Sequence, residues 1–290
     1  MRGAPSAVVV TVAAAVLAGG LTACGSTGGG AGGASPAATG PAAAEAARTD
    51  PKAALAAAAE VMRKAGSARY TLTARDGGET KPGAGFAAWA NRPAAIDYLG
   101  DLPNNRIRVR VVANEAYFGP TEQAAAAVGE QVFWVKTPFL MWRRPFYPQL
   151  SLAMDPVNQL TLAQAGRISA FGTETVDGAR LTHYRAVEDV AAVLNGIPDL
   201  TAEHRLHVEA ALKKIGETFT LDFWLNAEQE LVRFRAFGDK EGEVEAVTVT
   251  YSALGTAPAL PAPAASDLRT SPDLDKFLDP SPAMAGPAAG

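Results

Sequence analysis

From residue 68 to residue 251 most of the chain is written in short segments where apolar and polar residues alternate, and that period of two commits it to β-structure. The segments are ARYTLTAR (68–75), FAAWA (86–90), AAIDYLG (94–100), RIRVRVV (106–112), AYFG and QVFWVK. ISAFGTETV and ARLTHYRAV follow, joined by a tight turn at Asp177-Gly178, and TFTLDFWLN, ELVRFRAF and EVEAVTVTY close the series. In RIRVRVV, residues Arg106, Arg108 and Arg110 fall on one face, while Ile107, Val109 and Val111 fall on the other. A sheet with one apolar and one wet face, connected largely by hairpins, is antiparallel.

Helical patterns are few. Asp50-Pro51 opens one: Asp caps, Pro suits the first turn, and Leu55, Ala58, Ala59 and Met62 recur at helical spacing until Gly66. DVAAVLNG is a short helix, and TAEHRLHVEAALKKIG (201–216) a longer one, capped by Thr201 and ended by Gly216. The fold class is therefore α+β: an antiparallel sheet whose apolar face needs helices to cover it. Arg233 and Arg235 can face Glu243 and Glu245 across the GDKEG turn. The apolar parity shifts between Glu245 and Val247, which reads as a bulge bending the sheet.

Helices rich in alanine, laid over a wide apolar sheet, leave room between them. The expected liners of such a space are the inward strand residues Leu72, Phe86, Ile107, Val109, Val111, Phe219, Leu221, Phe223 and Phe234. Taken one by one, each is better explained as ordinary core. FLMWRRPFYP (139–148) sets Phe139, Leu140, Trp142, Phe146 and Tyr147 beside Arg143 and Arg144, the composition of a cavity mouth or membrane contact as well as of a packed connection.

Three stretches resemble the LppX/LprG-type lipoproteins of the LolA-like superfamily: FGTETVDGARLTHYRAVEDVAAVL (171–194), MDPVNQLTLAQAG (154–166) and DFWLNAEQELVRFR (222–235). The resemblance covers roughly residues 50–255. It implies a strongly curved antiparallel half-barrel with helices on its concave apolar face. It further implies binding of acylated lipid or glycolipid for envelope transport or presentation. Envelope sensors share that fold, so a protein-interaction lipoprotein without bound lipid is the alternative. In such a family the Thr-His-Tyr stretch makes His183 a structural hairpin residue.

The N-terminus supplies the location. Arg2, the apolar run AVVVTVAAAVLA (7–18) and the small residues before Cys24 form a secretory signal, too short for the roughly 20 residues a membrane span needs. Cys24 is the only cysteine, so no internal disulfide exists, and LTAC (21–24) resembles a lipobox whose thiol takes a lipid. Residues 24–49 are Gly, Ala, Ser, Thr and Pro with few charges, too poor in large apolar side chains to fold, and they read as a tether. The domain then spans 50–256, and 257–290 is a Pro/Ala-rich tail expected to wrap loosely or to be disordered. The chain is expected at the extracytoplasmic face of the membrane, anchored by acyl chains on Cys24.

A net charge of −4 speaks against a nucleic-acid partner. Glu203, His204 and His207 share one helical turn without a further ligand nearby, and the HExxH order is absent, so a solvated face is expected and no metal or cofactor is assigned. No nucleophile elbow, phosphate loop or dinucleotide fingerprint appears, and nothing recommends an enzyme.

Overall fold

Helix α1 (Pro51–Ala65) begins where Asp50 turns extended and its carboxylate accepts the Lys52 N–H at 2.9 Å. It ends at Gly66, whose φ of 70° suits a residue without a side chain and whose N–H returns to the Met62 carbonyl. Its buried stripe is Ala54, Leu55, Ala58, Ala59 and Met62, and the three alanines let the helix sit close to what it covers. The computed structural model describes residues 50–76, 79–102, 105–119, 134–138, 147–196 and 201–269.

After α1 the chain runs through β1 (Ser67–Asp76), β2 (Glu79–Ala88), β3 (Ala95–Leu102), β4 (Asn105–Val112), β5 (Glu115–Gly119) and β6 (Trp134–Pro138). Two short helices follow, α2 (Tyr147–Met154) and α3 (Pro156–Leu162), the latter capped by Asp155, which accepts the Asn158 N–H at 3.0 Å. Then come β7 (Arg167–Val176), β8 (Ala179–Asp189), α4 (Val190–Gly196), α5 (Ala202–Ile215), β9 (Thr218–Leu225), β10 (Leu231–Gly238), β11 (Val247–Ser252) and β12 (Leu268–Arg269). The β7–β8 turn has positive φ at both Asp177 and Gly178, the geometry that matches strand twist.

The twelve strands among the described residues form one open sheet in the order β12-β6-β5-β4-β3-β2-β1-β11-β10-β9-β8-β7. It is antiparallel apart from the β12–β6 pair. Two meanders, β1–β6 and β7–β11, are joined where β1 pairs with β11, Tyr70 opposite Tyr251. Inward residues from Val135 on β6 to Tyr184 on β8 share one core with α1, α2 and α3. A flat sheet of those ten strands would be roughly 43 Å wide at about 4.8 Å per strand, whereas three helices side by side cover about 30 Å. The sheet therefore curls around its helices, giving an α+β antiparallel half-barrel open between β7 and β12.

Several expectations change. The second strand starts at Glu79 and runs through Pro82, Gly83 and Gly85, residues that gave no alternating signal. Glu243 and Glu245 lie in a 3-10 turn (Gly242–Glu245) that precedes β11, so this turn rather than a bulge explains the parity change. The bulges lie at Leu231/Arg233 and Ala170/Gly172. The chain also stays with the domain past residue 256: Ala257 N–H reaches Ser67 Oγ at 3.3 Å, Arg110 donates to the Pro261 carbonyl at 3.0 Å, and β12 extends the sheet.

Candidate functional site

The concave face was the expected site. Leu72, Val109, Val111, Leu221, Phe223 and Phe234 do face the helices, and none is more than 3% exposed. A sphere the size of a water molecule barely touches them, so these six side chains are closely packed among the described residues. Phe219 belongs instead to a smaller core with Val190, Leu194 and Val208 under α4 and α5. Ile107 lies in β4, its side chain outside the described residues. Phe86 is a correction. It is registered opposite Arg69 and Asp97 on the outer face, with the Arg69 guanidinium 5.1 Å above its ring. The glycines of β2 had hidden which parity points inward.

Those glycines show how the hollow is filled. Gly83, Gly85 and Ala87 present almost nothing on the inner face of β2, and a side chain at Gly83 or Gly100 would run into the Tyr98 ring. Tyr98 and Tyr70, both buried, occupy that trough. The Tyr70 hydroxyl donates to the Asp97 carbonyl at 3.2 Å, and burial pushes its pKa well above the usual phenol value. The helices are pinned as well. Trp89 donates its indole N–H to the Met62 carbonyl at 2.6 Å and stands edge-on to Tyr251. The Tyr251 hydroxyl donates to the Ala153 carbonyl at 3.1 Å, tying α2 to β11.

The outer face carries what the sequence reading missed. Asp222 on β9 is fully buried between Arg185 of β8 and Arg235 of β10, its registered neighbours. Arg185 bonds both carboxylate oxygens at 2.7 and 3.0 Å, Arg235 bonds Oδ2 at 2.7 and 3.0 Å, and His183 Nε2 meets Oδ1 at 2.9 Å. Burial alone would raise this carboxyl. The hydrogen bonds from His183, Arg185 and Arg235 outweigh it and hold the group well below the usual carboxylate range. His183 stacks on Trp224 with centroids 4.4 Å apart, and Arg235 lies over the same indole. Asp97 repeats the plan on the other meander: Arg108 and Arg110 both bond it, and both lie over Trp134.

The His183–Asp222 pair looks like two-thirds of a hydrolytic triad, but the other ring nitrogen faces Glu174 at 3.3 Å rather than a nucleophile. The pair is an electrostatic clamp across three strands. The expected Arg235–Glu243 pair is present at 3.2 Å, whereas Arg233 pairs with Asp177 in the β7–β8 turn. Outer clefts of about 360 and 330 Å³ are lined by Thr73, Arg75 and Arg235 with the 3-10 turn, and by Gly216, Glu217 and Asp239 with their lysine neighbours. Neither contains an expected cavity residue. His204 and His207 lie on α5, and no group of three metal-ligating side chains occurs among the described residues. Cys24 and the stretch Phe139, Leu140, Trp142, Arg143, Arg144 and Phe146 lie outside the described residues; Tyr147 opens α2, with its side chain outside them too.

No family model and no curated protein matches the chain. Among solved structures it is similar to LprF from Mycobacterium bovis at 14% identity and TM-score 0.45, covering 78% of this chain and 98% of that one. It is similar to the Mycobacterium tuberculosis lipoprotein LppX at 13% identity and TM-score 0.46, covering 73% and 100%. It is also similar to a chain of the MucA/MucB complex of Pseudomonas aeruginosa at 14% identity and TM-score 0.35, covering 73% and 60%.

Proposed function

We propose that the chain is a lipoprotein held at the extracytoplasmic face of the membrane by acyl chains on Cys24, and that its half-barrel works there by contact with protein. One observation supports this reading: among the described residues, Leu72, Val109, Val111, Leu221, Phe223 and Phe234 pack closely in the core beneath α1–α3 and the two tyrosines. The alternative is the carrier function implied by the LppX/LprG resemblance, which needs an apolar void. Among the described residues, Tyr98 and the pinned helices stand where acylated lipid or glycolipid would have to lie.

Two measurements test it. Mass spectrometry of the mature chain should find acylation at Cys24, and Cys24→Ser should move the protein from membrane to soluble fraction. Organic extraction of the purified Cys24→Ser chain, with native mass spectrometry, should release no stoichiometric lipid. Recovery of one acylated lipid per chain would overturn the protein-contact reading in favour of the carrier.

A further inference from the structure

The two sheet edges are treated differently. At one end β12 lies along β6 and covers it. At the other, β7 has no strand beyond it among the described residues. Only Ile168, which packs against the main core, and Val176 of its ten residues are even half-buried, so from Ser169 to Thr175 the strand is exposed on both faces as well as along its edge. A long uncovered edge displays unpaired backbone donors and acceptors and is a template for another strand. Beside it stands Phe171, 59% exposed, bulged out of the β7–β8 register and resting against His183 and Arg185.

The residues along this edge are complementary to themselves. Arg167, near one end, has no ion-pair partner among the described residues, and Glu174, near the other, is about half exposed. Both lie on the outer face, registered opposite Val187 and Leu181. We infer that β7 is a pairing edge for β7 of a second copy of this chain, antiparallel, with Arg167 opposite Glu174 of the second copy at both ends. The bulge favours this register. It reverses the parity between Ala170 and Gly172, so Ile168 and Thr173, which both face inward, oppose each other, as do Ser169 and Gly172, which both face outward. An unbulged strand in the same register would set inward residues against outward ones. The contact is isologous, with the two Phe171 rings beside the twofold axis.

A single strand pair buries less than the roughly 1,200–2,000 Å² of a standard stable interface. Association in free solution is therefore weak, and confinement of two tethered copies to one membrane raises their effective concentration. The inference deepens the protein-contact reading by naming its partner, and only this last step rests on the tether.

Sedimentation velocity of the Cys24→Ser chain from low to high micromolar concentration should show a monomer–dimer equilibrium. Arg167→Glu, which removes no ion pair seen in the monomer, should weaken it about tenfold. Glu174→Arg should do the same, and Arg167→Glu/Glu174→Arg together should restore it. A chain monomeric at every concentration, or a double variant that stays as weak as the singles, overturns the inference. Should Glu174→Arg misfold through its contacts with His183 and Trp224, Arg167→Glu alone decides. Monomeric behaviour with no extractable lipid would leave protein contact standing with a different partner.

Discussion

The ring of Tyr98 fills the space that a side chain at Gly83 would need: a Cβ there would come within 2.1 Å of Tyr98 Cε2. Gly83→Ala should therefore force the tyrosine off its seat and destabilise the domain by about 1–3 kcal/mol, as overpacking does. The reverse change is more informative. Tyr98→Ala should cost about 3–5 kcal/mol and open a void over Gly83 and Gly100. An apolar fluorescent probe that ignores the wild-type chain should then bind the folded variant. Equal binding by both proteins would show that the hollow already has room.

The alternation of arginine and valine in β4 made its two faces legible, and Val109 and Val111 are buried as that pattern required. The caps Asp50 and Thr201 and the Asp177-Gly178 turn are local signals, and they stand where the sequence set them. Phe86 was misread because its neighbours on β2 are Gly, Ala and Pro, which carry no parity. Asp222 was missed because its partners Arg185 and Arg235 lie 37 and 13 residues away in sequence and meet only through strand order. A clue existed: Asp222 has the parity of Thr220 and Trp224, and so shares the wet face with arginines on neighbouring strands. The filling of the hollow depends on how far Tyr98 reaches across two glycine strands, which no period encodes.

The Asp222 clamp should be among the most costly features to break. Asp222→Asn leaves Arg185 and Arg235 facing each other with only the more exposed Glu243 as counter-charge, a loss of roughly 3 kcal/mol for a buried pair. The arginine side chains are 27% and 23% exposed, so solvent offsets part of this and the lower end is expected. Because the folded carboxyl titrates below its unfolded value of about 3.9, the stabilisation is present above that pH and lost as pH falls through the folded value. Urea midpoints should drop steeply below about pH 4 in the wild type and less steeply in Asp222→Asn. Parallel acid profiles would remove the clamp from the account.

Trp89 offers a test of how firmly the helical cover is held. Its indole N–H is the donor to the carbonyl at the end of α1, in a buried position. Trp89→Phe keeps an aromatic ring near Tyr251 but leaves the Met62 carbonyl to the Gly66 N–H alone. A loss of about 1–3 kcal/mol is expected, together with faster hydrogen exchange along α1. Unchanged exchange in α1 would mean that packing of its alanine stripe suffices.

Glu188 runs opposite to Asp222. It is 1% exposed on the inner parity of β8, opposite Phe219, where the main core meets the smaller one under α4 and α5. Neither carboxylate oxygen has a hydrogen-bond partner of good geometry. Burial pushes its pKa above the usual value; the Gly166 backbone and Lys52 offset this only in part, and Asp189 adds to it. A carboxyl raised on folding binds more protons in the folded chain than in the unfolded one between about pH 4.3 and its folded value. Stability contributed by Glu188 therefore falls as pH rises through that window, and the penalty is complete above it. Thermal midpoints of the wild type should rise as the pH is lowered through that window, before the loss of Asp222 reverses the trend. Glu188→Gln should abolish the rise. Glu188→Met, which removes the unpaired polar group, should melt about 2–4 °C higher at neutral pH, the shift that 1 kcal/mol produces in a domain of this size. A wild-type profile indistinguishable from that of Glu188→Gln would show that water reaches the carboxylate and that the seam between the two cores is wet.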